Sequence, residues 1–188
     1  QAMKQYLAID IGASSGRHIV GRLVGGKFET EEVYRFPNGS KTRGGHLVWD
    51  AEQLFSEVKK GIAAAIEKCG NIDSLSIDTW AVDYVLMQGD KEIFPCYAYR
   101  GGRTESAIKQ VHDILPFEKL YERTGIQFQP FNTVYQLYAD KLAGRLEKAD
   151  GFLMLPEYLL YKLTGKRICE YTNATSTGLV NAKTHTFD

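Results

Sequence analysis

Cysteine is scarce. Cys69, Cys96 and Cys169 lie far apart, with no CxxC pair and no Cys/His cluster. The usual zinc frameworks are therefore missing. An odd, sparse set suits a reducing compartment, where free cysteines act as small buried hydrophobes. An excess of one charge is missing too. Lys plus Arg number 23, as do Asp plus Glu, so the net charge is zero. Before Ile93 there are 11 basic and 13 acidic residues, and from there on 12 and 10. No basic arm is present to track a nucleic acid or an anionic membrane. No apolar run approaches the roughly 20 residues of a membrane-spanning helix, and the N-terminus lacks a signal-peptide core. The expectation is a soluble cytoplasmic protein. Gln1 and Ala2 precede Met3 and read as a cloning scar. Thr186-Phe187-Asp188 carries no stop signal of its own, which suggests truncation.

What is present is a 44% hydrophobic chain of 188 residues, long enough for a sizeable core without crosslinks. Tyr6 to Ile11 is a short apolar run, a buried strand by length. Arg17 to Val24 is a second strand, Gly25-Gly26 a hairpin turn, and Lys27 to Phe36 an alternating third strand. Asn38 to Gly45 reads as a polar loop. Asp50 with Gln53 is a capping-box signature, and Leu54, Val58, Ile62 and Ile66 recur on one helical face up to Cys69-Gly70. Ser74 to Gln88 reads as two strands broken near Trp80-Ala81, and Glu92 to Ala98 as another. Helices are expected over Thr104 to Leu115, Pro116 to Thr124 with Pro116 in its first turn, Thr133 to Lys148, and Pro156 to Leu163. A short strand is expected over Gly151 to Leu155. This order predicts an α/β domain whose mixed sheet opens with an antiparallel three-strand meander.

The sharpest local feature is Asp10-Ile11-Gly12-Ala13-Ser14-Ser15-Gly16-Arg17. A carboxylate between Ile9 and Ile11 is costly to bury unless it is paired or holds a metal. The turn after it offers successive backbone N–H groups, an anion nest. Arg17 can fork onto phosphate oxygens, and Asp10 can hold Mg2+ directly or through water. A nucleoside triphosphate needs all three elements. This is neither a Walker loop nor a dinucleotide fingerprint. By spacing alone, a Gly/Ser hairpin in which Asp10 caps a turn accounts for it equally well; the flanking isoleucines favour a ligand.

The string DIGASSGR between the first two strands resembles the first phosphate loop of the actin-like ATPases, and within them the FGGY carbohydrate kinases. Three further stretches resemble that family: Ile77 to Tyr84 (IDTWAVDY), Thr124 to Thr133 (TGIQFQPFNT) and Glu170 to Thr177 (EYTNATST). Together they are most similar to the branch that acts on L-rhamnulose, and they span almost the whole chain. The resemblance implies an RNase H-like fold and transfer of the ATP γ-phosphate to the 1-hydroxyl of L-rhamnulose, in L-rhamnose catabolism, with Mg2+. It implies that Asp10, Gly12, Ala13, Ser14, Ser15, Gly16 and Arg17 bind ATP, with Asp10 on the metal. Ala81, Phe131 and Asn132 are then expected at the sugar. From the residues themselves, Trp80 stacks on the sugar and Asp83 bonds its hydroxyls, or else Trp80 is core and Asp78 and Asp83 satisfy backbone donors at a distorted strand. Ala81 stands where the family usually has glycine, and Gly101 where it usually has aspartate; either Arg100 or Arg103 thereby loses a partner, or the segment is a surface turn with solvated arginines.

The family's base aspartate and its adenine site lie beyond Asp188. Residues 1–188 then read as the N-terminal kinase domain without its C-terminal partner, and alone they are expected to be inactive. Competing readings are a kinase for another ketosugar such as L-fuculose or L-xylulose, a sugar sensor with a degenerate loop, and a metal-dependent nuclease using Asp10, Asp78 and Asp83. His18, His46, His112 and His185 have no partners at ligand spacing, and Tyr158 and Tyr161 read as helix packing.

Overall fold

The computed structural model describes residues 3–188; the reading of Gln1 and Ala2 as a cloning scar lies outside them. β1 (Gln5–Ile11), β2 (Ser15–Val24) and β3 (Lys27–Pro37) form the expected meander. Gly25 and Gly26, at φ 53° and 81°, make its two-residue turn. β6 (Ser74–Thr79) adds to β1 in parallel, giving the order β3-β2-β1-β6 and hence a mixed sheet. β3 is an edge strand and carries Glu29, Glu31 and Glu32.

β1 is buried on one face only, which corrects the expectation of a wholly buried strand. Leu7, Ile9 and Ile11 point into the core while Tyr6, Ala8 and Asp10 alternate to the other face. The core side is covered by α1 (Ala51–Cys69) and α5 (Leu155–Thr164). Leu7, Ile9, Val20 and Phe36 from the sheet meet Leu54, Val58, Leu155 and Tyr158 from the helices. Each fully buried aliphatic side chain there contributes about 1.5–3 kcal/mol. α1 comes close to the sheet at Gly61, where a Cβ would lie 2.2 Å from the His18 ring. On the opposite face Phe28 lies exposed over Gly21.

α1 begins as expected, with the Asp50 side chain accepting the Gln53 N–H at 3.1 Å. The reciprocal half of the box is not made, because the Gln53 side chain donates instead to Glu57. Ile66 is exposed. A four-residue step overshoots a 3.6-residue turn by about 40°, so the stripe drifts off the core and Gly61 and Ala65 take its place.

The predicted loop after Asn38 contains β4 (Lys41–Arg43), which turns at Gly44-Gly45 into β5 (His46–Trp49). β9 (Cys96–Tyr97) pairs with β5. The single strand expected over Glu92 to Ala98 is divided: β8 (Lys91–Ile93) pairs with β7 (Tyr84–Gln88), and Phe94-Pro95 separates it from β9. β10 (Gly151–Met154) completes the sheet β10-β7-β8.

A helical layer follows: α2 (Glu105–Ile114), α3 (Phe117–Thr124) and α4 (Thr133–Leu142), packed through Val111, Leu120 and Tyr135. Pro116 is the residue before α3 rather than in its first turn, and its missing N–H is no loss there. α4 stops at Leu142, six residues short of Lys148, because Gly144 takes φ 69°. The Asn-Ala-Thr segment is α6 (Tyr171–Ala174) and one 3-10 turn. Among the described residues no helix is long and apolar enough to cross a membrane.

Candidate functional site

Two turns meet at the carboxyl ends of β1 and β6. The parallel register sets Asp10 beside Asp78 and Ile11 beside Thr79. The loop after Ile11 and the turn Trp80-Ala81-Val82-Asp83 therefore leave the sheet side by side. Carboxyl ends of neighbouring strands are where open α/β sheets bind ligands.

In the first turn, the carbonyls are withdrawn. Gly12 N–H donates to Ser15 O (2.8 Å), Asn38 Nδ2–H to Gly12 O (2.8 Å) and Asn38 N–H to Ser14 O (2.9 Å). The amides of Ala13 and Ser14 donate to no backbone carbonyl among the described residues. Arg17 lies across from Asp10 in the β1–β2 register. Its Nη1 is 3.5 Å from Asp10 Oδ2, Nη2–H donates to Ser15 Oγ (3.3 Å), and Nε is buried without a partner. The Asp10 side chain is 48% exposed, so the argument from the cost of burying it does not apply; Arg17 and open space share it. Gly16 is buried beneath the Phe36 ring, 2.2 Å from where a Cβ would stand. Its lack of a side chain serves that close packing.

The donor set fits an anion with a divalent cation. The Ala13 and Ser14 amides share one turn with Ser15, to which Arg17 Nη2–H donates, and Asp10 and Asp78 occupy paired positions in the sheet. No group of three metal-ligating side chains occurs among the described residues. One or two carboxylates suffice for Mg2+, which takes its other ligands from phosphate and water.

The second turn is strained. Val82, β-branched, takes φ 70°, a region such residues rarely enter. Its carbonyl accepts from Thr133 Oγ1 (2.8 Å) and Gln136 Nε2 (3.2 Å), both on α4. Asp83 is fully buried. Its Oδ2 accepts from Trp49 Nε1 (2.6 Å), Trp80 Nε1 (2.9 Å) and Tyr99 N (3.1 Å), and its Oδ1 from Gln136 Nε2 (3.0 Å). Burial pushes its carboxyl above the ordinary range, against the pull of those donors. Asp83 presents no oxygen at the surface to a sugar hydroxyl, which corrects the expectation that it binds substrate directly; it fixes the walls instead. Trp80 is half-buried with one face against Trp49 (centroids 4.1 Å apart), and Ala81 beside it is partly exposed.

Phe131 and Asn132, in the segment just before α4, approach the same turn. The Phe131 ring packs edge-on against Tyr99 (5.4 Å). Asn132 Oδ1 accepts the Gln129 N–H (2.7 Å). Gln136 Nε2–H also donates to Phe131 O (3.0 Å). Trp80 and Phe131 are thus tied to one buried hub through Asp83 and Gln136, with Ala81 and the buried Asn132 as their chain neighbours.

Arg103 is not the unpaired residue expected from Gly101. It donates to Asp140 Oδ1 (2.9 Å), which is fully buried and also takes Arg145 (2.7 Å). Both guanidiniums lie against the Tyr97 ring. Arg100 is exposed and donates to Tyr99 OH. Sequence reasoning also missed Asn38, Trp49, Thr133 and Gln136. Asn38 had one signal, an Asn-Gly pair at a strand exit; Gln136 had none, being a polar residue in a helical pattern.

The match to known proteins decides the lineage. The family model for the N-terminal domain of FGGY carbohydrate kinases covers residues 5–188. The chain belongs to that family. A protein of Oceanobacillus iheyensis named rhamnulokinase is 47% identical over 185 residues, 97% of this chain and 39% of its own length. One of Bacillus subtilis with the same name is 43% identical over 189 residues, 97% and 38%. The chain thus spans about two fifths of the length of the curated relatives it matches. Among solved structures, gluconate kinase from Lactobacillus acidophilus superposes with TM-score 0.85 at 21% identity, over 100% of this chain and 38% of that one. Plasmodium falciparum glycerol kinase with ADP gives 0.76 at 15%, over 99% and 39%. These share the fold. The nuclease alternative falls with the family assignment, and also on geometry: Asp83 is buried among its own donors and cannot join Asp10 and Asp78 on a metal.

Proposed function

We propose that this FGGY domain forms one wall of a kinase site that transfers the γ-phosphate of ATP to the 1-hydroxyl of L-rhamnulose, in a cytoplasmic setting. The observation that carries the reading is the parallel pair β1–β6, which delivers an anion-suited turn and an aromatic-lined turn side by side. The rhamnulokinase names of relatives at 47% and 43% identity support the sugar. The ADP in the glycerol kinase neighbour supports the nucleotide.

In this reading Arg17 and the Ala13 and Ser14 amides grip the phosphates, held open by Asn38, while Gly12, Ser15 and Gly16 give the turn its shape. Asp10 would hold a Mg2+ ion, which would supply charge neutralisation at the transferring group. Trp80, Ala81, Phe131 and Asn132 orient the ketose. Phosphoryl transfer depends mainly on positioning and charge stabilisation. A second wall, with the group that activates the hydroxyl, would come from polypeptide beyond this domain, and the domain alone would be inactive.

The test is ADP release by the full-length protein with L-rhamnulose, L-fuculose, L-xylulose and no sugar. The highest kcat/KM is expected with L-rhamnulose. A clear preference for another ketose would overturn the substrate, and sugar-independent release alone would overturn the kinase.

A further inference from the structure

Gln136 is 2% exposed and sits one helical turn into α4. Its single amide nitrogen lies within hydrogen-bond distance of three acceptors: Val82 O (3.2 Å), Asp83 Oδ1 (3.0 Å) and Phe131 O (3.0 Å). The first two belong to the turn after β6, and the third to the segment before α4. Those segments lie about 50 positions apart in sequence and supply the candidate sugar contacts Trp80, Ala81, Phe131 and Asn132.

We propose that Gln136 is a positioning residue that sets the spacing between the two sugar-facing segments and keeps Val82 in its left-handed conformation. The inference rests on the kinase reading above. A β-branched residue at φ 70° is strained and persists only where its surroundings hold it. Here two side-chain donors from α4 hold the Val82 carbonyl, Thr133 Oγ1 and Gln136 Nε2. Losing Gln136 removes one of them and also frees Asp83 Oδ1 and Phe131 O. Val82 then relaxes toward ordinary backbone and carries its neighbour Ala81 with it. Gln136 touches no sugar in this scheme. It acts through Val82, Asp83 and Phe131.

The phosphate turn lies on the other side of the β1–β6 pair and has no bond to Gln136 among the described residues. The effect of Gln136 is therefore confined to the sugar.

The experiment uses the full-length protein and L-rhamnulose, with the other ketoses as controls. Gln136→Met keeps the length of the side chain and removes its donor. Gln136→Glu keeps a donor only while protonated and sets a second carboxylate beside Asp83 when it ionises. For Gln136→Met, KM for the ketose is expected to rise about 10- to 100-fold, with KM for ATP unchanged. For Gln136→Glu, KM for the ketose is expected to approach that of the parent at low pH and to climb as pH rises, more steeply than in the parent.

A fall in thermal stability with an unchanged ketose KM would overturn the proposal, as would a parallel rise in both KM values. Failure of both variants to fold would overturn it too, since the residue would then serve the core. If the parent protein itself shows no ketose-dependent ADP release, the kinase reading has failed; an active parent with indifferent variants rejects the role of Gln136 alone.

Discussion

Trp49 and Trp80 donate their indole N–H groups to the same oxygen, Oδ2 of Asp83, at 2.6 and 2.9 Å. One carboxylate thereby joins the end of β5 to the turn after β6. Asp83→Ala would leave both indoles and the Tyr99 amide without an acceptor. Unpaired buried donors cost about 1–3 kcal/mol each, so a loss of about 3 kcal/mol or more is expected in urea unfolding of the 188-residue chain. A midpoint close to that of the parent would show that the indoles find other partners.

His18 is fully buried, with Nε2 3.2 Å from Val58 O and Nδ1 unpaired. Burial lowers its pKa below the ordinary value, more than Val58 O and the Glu57 charge raise it. The unfolded chain therefore binds a proton here at a higher pH than the folded chain does. The stability His18 confers is full above about pH 6.5 and is lost as pH falls from there through the folded value. Unfolding titrations should show a slope in this window that a His18→Asn variant lacks, and an NMR titration of the ring should centre below pH 6.5.

Gly16→Ala would drive a methyl group into Phe36, with 2.2 Å available. Overpacking of this kind costs about 1–3 kcal/mol. Adding Phe36→Leu should restore part of the loss, because the two positions share one space. A double variant no more stable than Gly16→Ala alone would place the strain in the backbone of the turn.

Arg17→Ala should separate stability from function. Its ion pair with Asp10 is long, at 3.5 Å, and open to solvent, so unfolding should move by less than about 1 kcal/mol. In the full-length protein, kcat/KM for ATP should fall about 10- to 100-fold, as expected for a lost charge-assisted contact, while ketose binding measured by calorimetry stays the same. Equal weakening of both ligands would argue that Arg17 supports the fold rather than the phosphates.

The meander, α1 and the two turns were legible because each is written locally. Hydrophobic alternation marks β3, an Asp-to-Gln spacing starts α1, and paired glycines close the hairpin at Gly25-Gly26. β4 was hidden because Lys41–Arg43 is exposed throughout and has no apolar face to declare it. The turn from Asp10 to Arg17 was legible as a unit, since a short motif carries it. The hub around Asp83 was not. Its donors come from Trp49, Trp80, Tyr99 and Gln136, and only the folded chain brings them together. The motif drew attention to Asp83 but could not tell a carboxylate that meets substrate from one that fastens the wall.

The glutamates of β3 bear on how copies of the molecule meet. An outermost strand offers unpaired backbone groups to any similar strand that approaches. On that rim Glu31 is paired with Arg22 and Lys68, and Glu32 with Arg35, while Lys27 and Glu29 add two more long charged side chains, so an approaching strand meets fixed ion pairs rather than a bare apolar edge. Growth into ribbons is thereby discouraged, because a second strand would have to desolvate those pairs; Lys68 and Arg35 hold the Glu31 and Glu32 carboxyls below the usual range, so the charged rim outlasts mild acidification.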